Sequence, residues 1–134
     1  MRKLFSAVLV VGLALTALPA AAQGQLKIVA SFSILGDMVR QVTGELANVT
    51  TIVGPDADAH VYTPNASDAK ATANADIIFV NGLGFETWSD TLIKTSGTKA
   101  KVFVATKGIL PLKVNGETDP HAWNALTNGL VYVA

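Results

Sequence analysis

The stretch DIIFVNG, from Asp76 to Gly82, decides how this chain is read. Four consecutive large apolar residues, Ile77, Ile78, Phe79 and Val80, leave neither face of the segment polar. A strand with one wet face alternates in polarity, whereas a strand covered by helices on both sides reads as a continuous apolar run, as in parallel sheets. Gly82-Leu83-Gly84 then turns the chain into a helical pattern over about residues 85–95. The same alternation recurs on either side. KIVASFS (27–33) is a β-branched run and predicts a strand. A helix follows over 34–43, with Ile34, Met38, Val39 and Val42 on one face and Gly44 as its stop. ANVTTIVG (47–54) predicts a second strand, ended by Gly54-Pro55. Beyond the loop PDADAHVYTP, Asn65 is an N-cap for the alanine-rich helix ASDAKATANA (66–75). KVFVAT (101–106) is the fourth strand, and a loop spans 107–120. A helical pattern then starts near His121 and is still running at Ala134. Four strands separated by helices predict an α/β fold, a four-stranded parallel sheet with helices on both faces. Ligands of such sheets bind beyond the carboxyl ends of the strands.

The first residues read as a secretory leader. Arg2 and Lys3 are followed by an apolar run over 4–18, and Ala20 and Ala22 satisfy an A-x-A cleavage rule. The run is short of the roughly 20 residues that a membrane span needs, so the chain is not expected to be membrane-spanning. The expectation is cleavage near Ala22 and a periplasmic product. The sequence has no cysteine, so it holds neither disulfides nor a thiol for lipidation, and any metal site must use imidazole and carboxylate. Lys and Arg number ten and Asp and Glu ten. Losing Arg2 and Lys3 would leave a small acidic surplus with no basic stripe, which argues against a nucleic acid partner.

Catalytic motifs are absent. VNGLGFET follows a strand, but Thr87 stands where a dinucleotide fingerprint needs a small third residue for close helix–strand packing. The two glycines read as a tight turn. There is no G-x-S-x-G elbow, and neither histidine has a partner four residues away as a zinc hydrolase would require. The chain is not expected to be an enzyme.

The two histidines occupy one frame, Asp58–His60–Tyr62 and Asp119–His121–Trp123. His60 lies on the loop leaving the second strand and His121 on the segment after the fourth, so topology can bring both to the same sheet edge. Each aspartate could orient an imidazole or accept its second N–H, as metal-bound histidines commonly require. Each following aromatic could supply a dry wall. Neutral imidazoles suit first-row divalent ions such as zinc, and carboxylates widen the choice toward manganese. Two ligands leave a tetrahedral shell incomplete.

Three pieces, IVASFSILGDMV, IVGPDADAHVYTPNASDAKATANADIIFVNGLGFETW and DPHAWNALTNGLVYV, resemble the N-terminal lobe of the periplasmic zinc- and manganese-binding proteins of ABC importers. That family includes metal-binding lipoproteins once called adhesins. The elements D-x-H-x-Y-x-P and D-P-H-x-W, in that order and split by the NGLGFE turn, carry the likeness, which covers most of residues 27–134. The resemblance implies two α/β lobes joined by one long helix, with the ion clamped between them. It implies that His60 and His121 are the metal ligands of the first lobe. Residues 1–22 are then the signal peptide, 23–120 the N-terminal metal-binding lobe, and 121–134 the start of the inter-lobe helix, in a truncated member that lacks the second lobe. The implied task is capture of zinc or manganese as transported ligand, without an organic cofactor, for delivery to an ABC permease in the inner membrane. The 107–120 loop has no histidine-rich insertion of the kind zinc-selective members often carry, a slight lean toward manganese. The alternative expectation is an adhesion-type interaction lobe that works without metal, or a non-functional gene fragment.

Overall fold

The alternation of strands and helices is realised in the computed structural model, which describes residues 24–134; the leader expected over 1–22 lies outside the described residues. Strand β1 (Leu26–Phe32) runs directly into helix α1 (Ser33–Thr43), and Gly44 ends that helix with its N–H on the Arg40 carbonyl. After β2 (Ala47–Val53) come α2 (Ala66–Ala73), β3 (Ile77–Val80), α3 (Ser89–Ser96) and β4 (Lys101–Val104). All four strands are parallel, in the order β2-β1-β3-β4. Asn65 caps α2 as expected. Its side chain accepts the N–H groups of Ser67 and Asp68, and Asp68 returns a bond to the Asn65 N–H.

Register sorts the side chains by face. Ile28 lies beside Ile77, and Ala30 beside Phe79, which in turn lies beside Phe103. This face meets Leu35 and Val39 of α1. Val29, Ile52, Ile78 and Val80 point the other way, toward Thr72 of α2 and Leu92 and Ile93 of α3. Burial of these residues is the main force holding the layers together. Cover is not even, however. Ile78 and Val80 are buried while Ile77 and Phe79 are half-covered, because α1 sits over β1 and β2. At the β4 edge Val102, Phe103 and Val104 are exposed. The two-sided cover read from DIIFVNG is thus complete over residues 28–32 of β1 and partial at β3. Gly36 lets α1 approach closely, since a Cβ there would fall 2.3 Å from Thr51 Oγ1.

Three segments differ from expectation. Regular helix begins at Ser89 and not near Phe85, because residues 81–88 are drawn into turns by the Glu86 side chain, described below. The 107–120 loop contains a small hairpin, β5 (Lys113–Val114) with β6 (Glu117–Thr118). Its two-residue turn is Asn115-Gly116, both in left-handed backbone (φ 52° and 86°), the chemistry such turns demand. Finally, the helix expected from His121 onward is two 3-10 turns, Ala122–Asn124 and Leu126–Asn128, and then the single turn α4 (Gly129–Tyr132).

Candidate metal centre

The chain leaves β1 toward β2 on one side and finds β3 on the other, so the strand order switches between β1 and β3. Ligands of open α/β sheets bind beyond the carboxyl ends of the strands at such a switch point. Phe32, at the end of β1, and Phe85, in the turn after β3, meet there with rings 4.9 Å apart and edge to face.

Two loops bring the histidines there. In the first, the Asp58 carboxylate accepts the His60 backbone N–H at 2.9 Å, closing a local turn. Ala59 is buried, and its carbonyl takes the Trp88 indole N–H at 2.7 Å. The His60 ring lies edge-on to Phe85, centroids 4.6 Å apart. The second loop is launched by the β5–β6 hairpin, whose ladder continues as the Asp119 N–H bonds the Leu112 carbonyl at 2.9 Å. Asp119 Oδ1 accepts both the His121 backbone N–H (3.0 Å) and its ring Nδ1 (2.7 Å). These bonds, the backbone one foremost, hold the Asp119 carboxyl below the ordinary aspartate range. Trp123 packs its ring tilted against Phe32 at 4.7 Å and edge-on to Phe85 at 4.9 Å and His121 at 5.3 Å.

The two imidazoles meet. His60 Nε2 and His121 Nε2 lie 3.1 Å apart, with the rings inclined at 63°. Asp119 accepts from Nδ1 of His121, so that ring carries its proton on Nδ1 and turns an Nε2 lone pair toward His60. Two nitrogens bound at about 2.05 Å in a tetrahedral shell stand roughly 3.3 Å apart, so this spacing is close to a metal bite. Among the described residues no group of three or more His, Cys, Asp or Glu side chains converges on a point, and the pair stands by itself.

The aspartates and aromatics of the repeated frame behave unequally. Asp119 engages the ring of its histidine, whereas Asp58 engages only backbone. Trp123 walls the site, but Tyr62 turns away. Its hydroxyl donates to Asp68 Oδ2 at 2.9 Å, a bond that raises the phenol pKa, and its ring meets Trp88. The wall beneath His60 is Phe85 instead.

The sequence reading missed the polar floor under the site. Glu86 is buried, and its carboxylate accepts the Ser31 hydroxyl and the N–H groups of Asn81 (2.6 Å) and Gly82 (3.1 Å). Gly82 has φ +84°, and a Cβ there would strike Val104 Cγ1 at 2.5 Å, so the turn admits only glycine. Asn81 is fully buried and bonds to Pro120 and Tyr132. Burial, with Glu86 nearby, pushes the Tyr132 hydroxyl up to about 12. The usable signal was the NGLGFE turn: a glutamate four residues past a left-handed glycine can reach back to the amides that the turn leaves unpaired.

Residues 28–134 match the family model described as zinc-uptake complex component A, periplasmic. The chain is 43% identical over 109 residues to the manganese-binding lipoprotein MntA of Halalkalibacterium halodurans, covering 81% of this chain and 36% of that one. It is 36% identical over 138 residues to the iron ABC transporter substrate-binding lipoprotein MtsA of Streptococcus pyogenes serotype M1, covering 95% and 44%. Among solved structures, the Mn-bound periplasmic metal binding protein from Candidatus Liberibacter asiaticus superposes with TM-score 0.74 at 35% identity, over 81% of this chain and 42% of that one. Zn(II)-bound AdcA from Streptococcus pneumoniae does so with TM-score 0.71 at 31% identity, over 82% and 24%. The chain spans less than half the length of these relatives.

Proposed function

The chain belongs to the periplasmic zinc-uptake component A family, whose relatives are named as metal-binding components of ABC transporters and not as enzymes; on that premise we propose that His60 and His121 take a divalent metal ion as cargo. The observation that carries this reading is the 3.1 Å approach of the two Nε2 atoms, with the His121 tautomer set by Asp119. The pair supplies two ligands, and water or groups from outside residues 24–134 complete the coordination. Residues 1–22 serve as export signal, 23–120 as the lobe that holds the ion, and 121–134 lead toward a second lobe. The captured ion passes to a membrane permease. The protein itself works in the periplasm; no helix among the described residues is long and apolar enough to cross a membrane.

The two imidazole donors of this lobe favour zinc over manganese, against the slight lean read from the 107–120 loop, since nitrogen donors bind the later first-row ions more tightly. Isothermal titration with zinc and then manganese tests both points. Zinc should bind one ion per chain, more tightly than manganese, and the His60→Ala, His121→Ala double variant should release no binding heat while keeping its circular dichroism. Equal heat from the folded double variant would refute the site and favour a lobe that works without metal.

A further inference from the structure

Asn81 closes β3 with every polar atom engaged. Its N–H donates to Glu86 Oε1, and its carbonyl accepts the Thr106 N–H and hydroxyl. The side-chain Nδ2 donates to two carbonyls, of Gly82 at 3.1 Å and of Pro120 at 2.9 Å. Oδ1 accepts the Tyr132 hydroxyl at 2.5 Å. Both carbonyls can only accept, which fixes the amide orientation, so Tyr132 must be the donor to Oδ1. No part of Asn81 is exposed, and water cannot replace any of these bonds without opening the core.

The partners lie far apart in sequence. Pro120 immediately precedes His121 and has no N–H of its own, so its carbonyl is the one backbone handle by which that residue can be held. It is gripped from two sides, by Asn81 Nδ2 and by the Ala122 N–H at 2.9 Å. Tyr132 belongs to α4. One buried carboxamide therefore spans from the C-terminal turn to the peptide that carries His121. We infer that Asn81 is a positioning residue that sets the His121 imidazole against His60 and couples that setting to Tyr132. Ligands must be held to within roughly 0.5 Å to bind well, so slackness in the Pro120 peptide reaches the ion directly. By linkage, an ion on the histidines must bias Tyr132 as strongly as Tyr132 biases the ion. The affinity part of this inference rests on the metal reading proposed above; the placement of His121 does not.

The test uses the protein with Tyr132→Phe, which deletes one oxygen, and with Asn81→Asp, which keeps the acceptor for Tyr132 but has no donor for Pro120. Three readouts are taken: thermal unfolding, the imidazole resonances of both histidines without metal, and zinc affinity by chelator competition. Tyr132→Phe should remain folded, shift the His121 ring signals, leave the Trp88 indole signal in place because its bond to Ala59 is independent, and weaken zinc about three- to tenfold. Asn81→Asp should show the same pattern more strongly. In the wild-type protein, zinc should move the Tyr132 ring signals more than those of Tyr62, which is tied to α2. His121 signals and zinc affinity unchanged in a folded Tyr132→Phe would overturn the inference, as would shifted signals at unchanged affinity. Should Asn81→Asp fail to fold, Tyr132→Phe alone decides. Should wild-type protein bind no zinc, the functional reading falls, and the metal-free His121 signals still decide whether Asn81 positions the ring.

Discussion

Two loops spell the same frame, aspartate, histidine and aromatic at alternate positions, and fold it into different machinery. In the second loop Asp119 grips both the backbone and the ring of His121, and Trp123 packs against that ring and two phenylalanines. In the first, Asp58 touches only the His60 backbone, and Tyr62 faces away to cap α2 through Asp68. The shared part is the turn, since an aspartate two residues ahead readily accepts a backbone N–H wherever the chain bends. The unshared part depends on what stands opposite. His121 is pre-set by its own loop, while the His60 ring is placed by Phe85 and by His121 itself.

That contrast can be broken or sharpened by substitution. The largest effect is expected at the aromatics. Trp123→Ala removes a half-buried indole from a four-ring cluster and should destabilise by about 2–3 kcal/mol, below the usual range for fully buried tryptophan. Tyr62→Phe should cost only about 1 kcal/mol, for one hydrogen bond. Urea unfolding measures both, and equal losses would mean that Tyr62 does more than cap a helix.

Next come the aspartates. Asp119→Asn leaves the backbone turn possible but weakens the hold on Nδ1, and should reduce zinc affinity about 10- to 100-fold. Asp58→Asn keeps an acceptor for the His60 N–H and should change affinity less than about threefold. Competition with a chelator distinguishes them; matching losses would erase the asymmetry that the geometry displays.

The smallest effect is in pH. Tyr132 titrates at about 12 in the fold against 10.0 ordinarily, so the neutral phenol is the favoured native form. Its contribution to stability is whole below pH 10 and is lost as pH climbs through about 12. Solvent reaches part of this side chain, so the loss is modest. Urea midpoints recorded across that window should fall further for the wild-type protein than for Tyr132→Phe, and parallel curves would show that Tyr132 is not neutral for the reason given.

Most of the sheet was legible beforehand because strand runs and helix stops are local. The β-branched run of β1, the Gly54-Pro55 stop after β2, the Asn65 cap and the apolar run of β3 each depend on a few adjacent residues. The hairpin was also local, and Asn115-Gly116 was its unread signal. The start of α3 could not be read this way. Helical spacing holds from Phe85, but the Glu86 carboxylate bends back to two amides and keeps the segment in turns up to Trp88. The same holds after His121, where two 3-10 turns replace the expected regular helix.

From residue order alone came the parallel α/β sheet and the arrival of both histidines at one edge of it, because periodicity and chain direction are set by neighbours along the backbone. Only the folded molecule decided that two Nε2 atoms meet at 3.1 Å, that one aspartate of two holds a ring, and that a buried asparagine ties Pro120 to Tyr132. Apart from the local Asp119–His121 bond, those facts depend on side-chain directions at positions 39 to 61 residues apart, which no spacing along the chain encodes.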